Sequence, residues 1–189
     1  GLFLPVTIIF IREITNRKVR GRKDLEGMGI PLIGEIPLCA QSKKLKDNVR
    51  SIIVKEGNRN IINEAFRVLR TNLEFMNNKD KKSTVFIVTS FNPGSGKTFL
   101  TMNIAAGLAL KGKKVLVIDG DMRHGSTSAY AGSPSTGLSD YLSGGTADVS
   151  SIIAEFEEYP TLKVIPIGST PPNPTELLES PRFNELINK

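Results

Sequence analysis

The sequence predicts an α/β fold in which a parallel sheet is flanked by helices, and three observations carry that expectation. Strand-like and helix-like segments alternate through the second half of the chain. A glycine-rich stretch, Ser90 to Thr98, lies between a β-rich run, Thr84 to Thr89, and a helical pattern, Lys97 to Leu110. A second apolar run, Lys114 to Asp119, ends in two acids one residue apart, Asp119 and Asp121.

Taken in order, the chain opens on an apolar run, Gly1 to Ile11, with Arg12, Arg17, Lys18, Arg20, Arg22 and Lys23 close behind. About 20 apolar residues span a bilayer, so the run supplies roughly half a span. Its dense basic flank reads as the cytoplasmic side of a membrane helix that begins upstream, the alternative being a buried strand or helix end. The basic residues follow the apolar stretch and no small-residue cleavage site comes next, which argues against a signal peptide. Residues 12 to 56 form a connector, punctuated by Gly27, Gly29, Pro31, Gly34 and Pro37. Ile30 to Ile33 and Ile36 to Leu38 are expected as short strands within it. Residues 57 to 78 carry a helix from Asn60 to Asn77, with Ile62, Phe66, Leu69, Leu73 and Met76 as one apolar stripe. Glu64, Arg67 and Arg70 form a charged row beside that stripe, able to bridge to another surface or to pair locally on an exposed face. Lys79 to Lys82 reads as a solvated linker. From residue 79 onward the α/β domain follows. Beyond Asp121 we expect a helix at Leu138 to Leu142, another at Val149 to Phe156, a strand at Leu162 to Ile167, and a last helix opened by Ser180 and Pro181.

Composition narrows the class of protein. The 189 residues suffice for a real core, and the formal charge of +6 lies in scattered clusters. The one cysteine, Cys39, cannot form an internal disulfide and reads as a small buried residue. The Lys43 to Lys46 run has no interleaved aromatic residues, so it reads as a solvated face and no nucleic-acid partner is expected. His124 is a lone solvated side chain beside the acids.

Chemistry concentrates at the two strand ends. Gly94 and Gly96 let the backbone come close, so that successive amides can face phosphate oxygens while the helix adds its positive end. Lys97 is placed to neutralise β- and γ-phosphates and the Thr98 hydroxyl to ligate Mg²⁺. This is a phosphate loop of the P-loop NTPase kind, although Phe91 stands where the strict pattern has its first glycine. Asp119 and Asp121, at the carboxyl end of a strand, are placed to hold Mg²⁺ or its waters, or to accept a proton.

Together these residues resemble the bacterial tyrosine kinases, P-loop kinases of capsule and exopolysaccharide export. Asn92-Pro-Gly-Ser-Gly-Lys-Thr98 looks like their Walker A loop, Val115 to Arg123 like their Walker A′ motif, and Glu64 to Arg70 like their Glu-x-x-Arg-x-x-Arg helix. Pro172 to Leu178 and Gly137 to Leu142 also resemble stretches of the family. The resemblance implies an autophosphorylating enzyme that uses ATP and Mg²⁺. It implies ATP contacts from Asn92, Pro93, Gly94, Ser95, Gly96, Lys97, Thr98 and Phe99, catalytic roles for Lys97, Asp119 and Asp121, and metal contacts from Thr98 and both acids. Glu64, Arg67 and Arg70 carry over as subunit contacts in a homo-oligomeric ring. The expected partners are a neighbour's tyrosine tail, the polysaccharide export machinery and the membrane, with the kinase part on the cytoplasmic side of the inner membrane. The family's Walker B strand and tyrosine cluster are not recognisable before Lys189. Tyr130, Tyr141 and Tyr159 are scattered and read as packing or surface positions, so the chain reads as an internal piece of a longer protein. The alternatives are a partition-type ATPase switch, whose signature lysine is replaced here by Asn92, and a noncatalytic chain-length regulator of polysaccharide export.

Overall fold

The computed structural model describes residues 3–15, 19, 21–25, 27–37, 51–77 and 83–188. Leu38, Cys39, Lys43 to Lys46, Arg17, Lys18, Arg20 and Lys79 to Lys82 lie outside them. Residues 1–33 and 34–189 form two compact units.

In the first unit, α1 (Phe3–Ile14) presents Leu4, Val6, Ile8, Ile9, Phe10 and Ile11 to the outside. At about 1.5 Å per residue its 12 residues reach about 18 Å, short of the roughly 30 Å of a bilayer's hydrocarbon core. No helix among the described residues is long and apolar enough to cross a membrane. A short 3-10 turn, Arg22–Leu25, follows. The segments expected as strands near Ile30 and Ile36 form no ladder where they are described. Pro31 and Pro37 lack the amide donors a ladder needs.

The second unit is built on α2 (Ile61–Met76) and α3 (Lys97–Ala109). Asn60 has extended backbone and its Oδ1 accepts the Asn63 amide at 2.8 Å, an N-cap worth about 1 kcal/mol. Helix α3 is apolar nearly all round, the pattern of a helix covered on several sides. Met102, Ala105, Ala106 and Ala109 are buried against Val117, Leu162 and Val164 of the sheet. The sheet has three strands, β1 (Val115–Ile118), β2 (Ala154–Glu155) and β3 (Leu162–Ile165), in the order β1-β3-β2. β1 and β3 run parallel with Val115 opposite Leu162, while β2 is antiparallel to β3. Alternate side chains face opposite ways, so Ile165 joins a second core with Leu138, Tyr141, Ile152, Leu177 and Leu186. That core is roofed by α4 (Leu138–Leu142), α5 (Pro174–Leu178) and α6 (Pro181–Asn188).

Two expectations are corrected here. Thr84 to Thr89 enters no ladder among the described residues, and Val85, Phe86, Ile87 and Val88 are exposed. β-propensity yields a strand only where a neighbour supplies hydrogen-bond partners and a face to pack on, and none of the described strands lies against it. Val149 to Phe156 is not one helix but a 3-10 turn, Val149–Ile152, followed by β2. Asp148 caps the turn through the Ser150 amide, and the β-branched Ile152 and Ile153 suit the exit into a strand. The sheet is therefore mixed rather than purely parallel.

Close backbone approach fixes α4. The Leu138 and Ser139 amides donate to Pro166 O and Ile167 O, and a side chain at Gly137 would collide with the Gly168 amide. The segment Ile53 to Lys55, which leads into α2, is held by side-chain amides of α2 and α3 instead of a ladder. Asn103 Oδ1, fully buried on α3, accepts the Ile53 amide at 2.8 Å and the Val54 amide at 3.1 Å. Asn63 Oδ1 accepts the Lys55 amide, and the Tyr159 hydroxyl donates to Val54 O. Replacing Asn103 by Ala orphans two amides, at about 1–3 kcal/mol for each group left without a partner. We expect Asn103→Ala to lose roughly 2–4 kcal/mol in urea denaturation; a loss within experimental error contradicts this account of the segment.

Candidate active site

The amino end of α3 is shaped by its sequence to leave donors free. Gly94 and Gly96 take positive φ values of 75° and 86°, a region that side chains other than glycine's disfavour. Ser90 Oγ and Ser95 Oγ both donate to Asn92 O, at 2.9 and 2.7 Å, folding the loop on itself around Pro93. Gly96 is the N-cap and offers no side-chain acceptor. The first intrahelical bond runs from the Leu100 amide to Gly96 O. Among the described residues nothing accepts a bond from the amides of Gly96, Lys97, Thr98 or Phe99. Four donors, the positive end of a helix and the Lys97 ammonium therefore converge on an exposed loop, which is the chemistry of a phosphate site.

The acids reach the same edge by topology. Helix α3 turns through residues 110–114 into β1 and packs on it, so the chain runs in opposite directions in the two elements. The amino end of α3 and the carboxyl end of β1 thus share one end of the unit. Asp119 is buried, and its carboxylate accepts the Asp121 amide at 3.1 Å and the Thr127 amide at 3.0 Å. It organises the loop that follows β1. Asp121 is more open and bonds His124 Nδ1 at 3.1 Å. Partial burial pushes its carboxyl up. The hydrogen bond and charge of His124, with the Arg123 and His124 amides, outweigh that and hold it below the ordinary carboxylate range. Among the described residues no hydrogen bond joins the acids to the loop.

The other expected residues divide. The Phe99 ring turns away from the loop to meet Phe66 edge-on, with ring centroids 5.9 Å apart, so its amide alone faces the loop. Glu64 and Arg67 pair with one another at the surface of α2. Arg70 is buried and donates from Nη1 to Gly107 O on α3 at 3.0 Å. Sequence reasoning missed Asn103 and Asn63; a lone amide inside an apolar helical run was the available signal. A cation at this edge has oxygen donors to draw on, the Thr98 hydroxyl and the carboxylates. Among the described residues no group of three or more His, Cys, Asp or Glu could hold a metal ion. That donor set fits Mg²⁺, which is commonly held by one or two carboxylates together with substrate phosphates.

One expectation follows from the acid loop. In His124→Ala, the Asp121 carboxyl should titrate at higher pH, followed by its carboxyl NMR signal, because two of the influences lowering it are gone. The sign for stability is the usual carboxylate one. Any contribution from Asp121 is present above its unfolded pKa and lost as pH falls through the depressed folded value. An unmoved titration contradicts the pairing.

Comparison with known proteins agrees with this geometry. Residues 83–170 match a family model described as an AAA domain. The chain is 36% identical over 204 residues to the tyrosine-protein kinase Wzc of Salmonella typhimurium, covering 99% of this chain and 27% of that protein. It is 40% identical over 126 residues to the tyrosine-protein kinase CpsD of Streptococcus agalactiae, covering 66% of this chain and 53% of that protein. The chain thus spans about a quarter of the length of Wzc. The solved kinase domain of the Escherichia coli tyrosine kinase ETK matches with a TM-score of 0.77 and 32% identity, over 90% of this chain and 68% of that one. With 32% identity and more than two thirds of a solved tyrosine-kinase domain covered, the chain belongs to the bacterial tyrosine-kinase family.

Proposed function

We propose that this chain is the ATP-binding part of a protein tyrosine kinase that autophosphorylates and regulates capsule or exopolysaccharide polymerisation and export. The observation that carries the nucleotide half is the set of four free amides at Gly96 to Phe99 with Lys97 among them. The names of the relatives support tyrosine as the acceptor. Residues 1–11 are read as the end of a membrane helix, 12–56 as the connector, 57–78 as the self-association helix and 79–189 as part of the kinase domain on the cytoplasmic side. The tyrosine tail of a neighbouring copy in a ring and the export machinery are the proposed partners.

ATP is the substrate that lends the phosphoryl group. The loop amides and the Lys97 ammonium take up the negative charge of the β- and γ-phosphates and the charge that spreads over the group in transfer. When bound, Mg²⁺ supplies further neutralisation of the phosphate oxygens, with the Thr98 hydroxyl and the Asp121 and Asp119 carboxylates as the residues to hold it. Asp121, its carboxyl held below the ordinary range by His124 and two backbone amides, suits a cation, whereas the two amide bonds to Asp119 give it a fixed orientation. One of these carboxylates takes the proton of the attacking tyrosine hydroxyl.

In the full-length protein Lys97→Met should lower autophosphorylation by about a hundredfold or more, read as phosphotyrosine after incubation with Mg-ATP. Unchanged phosphotyrosine overturns the proposal. Labelled γ-phosphate found in water rather than on tyrosine identifies an ATPase switch instead, and no nucleotide binding at all identifies a noncatalytic adaptor.

A further inference from the structure

The row Glu64, Arg67 and Arg70 reads in sequence as one charged surface, but the structure divides it. Arg70 is 8% exposed, on the face of α2 that also buries Phe66 and Leu69. Its Nη1 donates to Gly107 O, in the last turn of α3. A helix leaves its final carbonyls without intrahelical partners, and those of α3 can be followed one by one. Ala106 O takes the Leu110 amide, Leu108 O takes the Lys111 and Lys113 amides, and Ala109 O takes the Gly112 amide and the Thr161 hydroxyl. Gly107 O would ordinarily take the Lys111 amide, which goes to Leu108 O instead. Arg70 fills the place left open. Its cation also lies at the negative end of the helix dipole, where positive charge is favoured. The arrangement carries a cost, since Arg70 Nε is buried with no partner. An unsatisfied donor on a buried cation is not what packing for stability alone selects.

We propose that Arg70 is a positioning residue of the nucleotide site. It caps the carboxyl end of the phosphate-loop helix and clamps that helix to α2. The Phe66–Phe99 ring contact joins the same two helices near the loop, so α2 grips α3 both at its first turn and at its last. Removing the clamp loosens the helix whose amino end presents the four free amides. The proposal rests on the reading of that end as a nucleotide site.

The test compares wild type, Arg70→Met and Arg70→Lys in the full-length protein. Met keeps the packed stem and removes charge and donors; Lys keeps the charge and one donor. Affinity is measured with a fluorescent ATP analogue, at a dilution where light scattering shows monomers and a temperature where each variant is folded. Arg70→Met should bind about fivefold more weakly, the equivalent of roughly 1 kcal/mol of lost helix-end interaction, and Arg70→Lys should recover most of the difference. Amide exchange at residues 110–113 should quicken in Arg70→Met whether or not nucleotide is present. Wild-type affinity in Arg70→Met overturns the proposal, as does equal impairment in both variants. If Arg70→Met does not fold, Arg70→Lys alone decides: affinity within about twofold of wild type supports the clamp, and a weaker value overturns it. If wild type binds no nucleotide, the functional reading falls, while the exchange comparison still decides whether Arg70 caps α3.

Discussion

Helix α3 has to satisfy two unlike ends, and most of the second unit is arranged around that constraint. At the carboxyl end each of the last four carbonyls finds a donor, one of them the guanidinium of Arg70. At the amino end the amides of Gly96 to Phe99 find none in the described protein. A helix frays where its ends go unmet, so one end this well held allows the other to be kept open for a ligand. Glycines in the loop and the absence of a capping side chain at Gly96 preserve the opening.

The remaining elements serve to hold this helix still. Small residues, Ala105, Ala106 and Ala109, let it lie close on the sheet, and Asn103 ties the incoming chain at Ile53 and Val54 to its outer side. The tight turn from α3 into β1 then brings Asp119 and Asp121 to the loop's edge. There the two acids differ in kind. Asp119 is buried and spends its oxygens on the Asp121 and Thr127 amides, whereas Asp121 is more open and is held by the His124 ring and the Arg123 and His124 amides. The pair therefore holds one acid that shapes the loop after β1 and one that stands more open.

The sequence made the periodic elements legible. The stripe from Ile62 to Met76 gave α2, the glycine loop gave the start of α3, and the apolar runs gave β1 and β3, because each pattern is local. Where the outcome depends on a distant partner, local pattern failed. Thr84 to Thr89 has strand-like residues yet no ladder among the described residues, since pairing is a property of two segments. Val149 to Phe156 passed for a helix because its apolar spacing suits either form, until pairing with β3 drew Ala154 and Glu155 into the sheet. Arg70 stands about 40° round the helix from Phe66, close enough to the buried stripe to turn inward. Whether it does depends on a carbonyl 37 residues away. The amides of Gly96 to Phe99 were expected from the motif, but their freedom from internal acceptors was visible only in three dimensions.

Backbone amide exchange with and without Mg-ATP tests the central claim most directly, because it reads the donors themselves. The account predicts marked slowing at Gly94 to Phe99, concentrated in the amides of Gly96 to Phe99. Nucleotide that binds while those amides exchange as fast as before would place the phosphates elsewhere and contradict it.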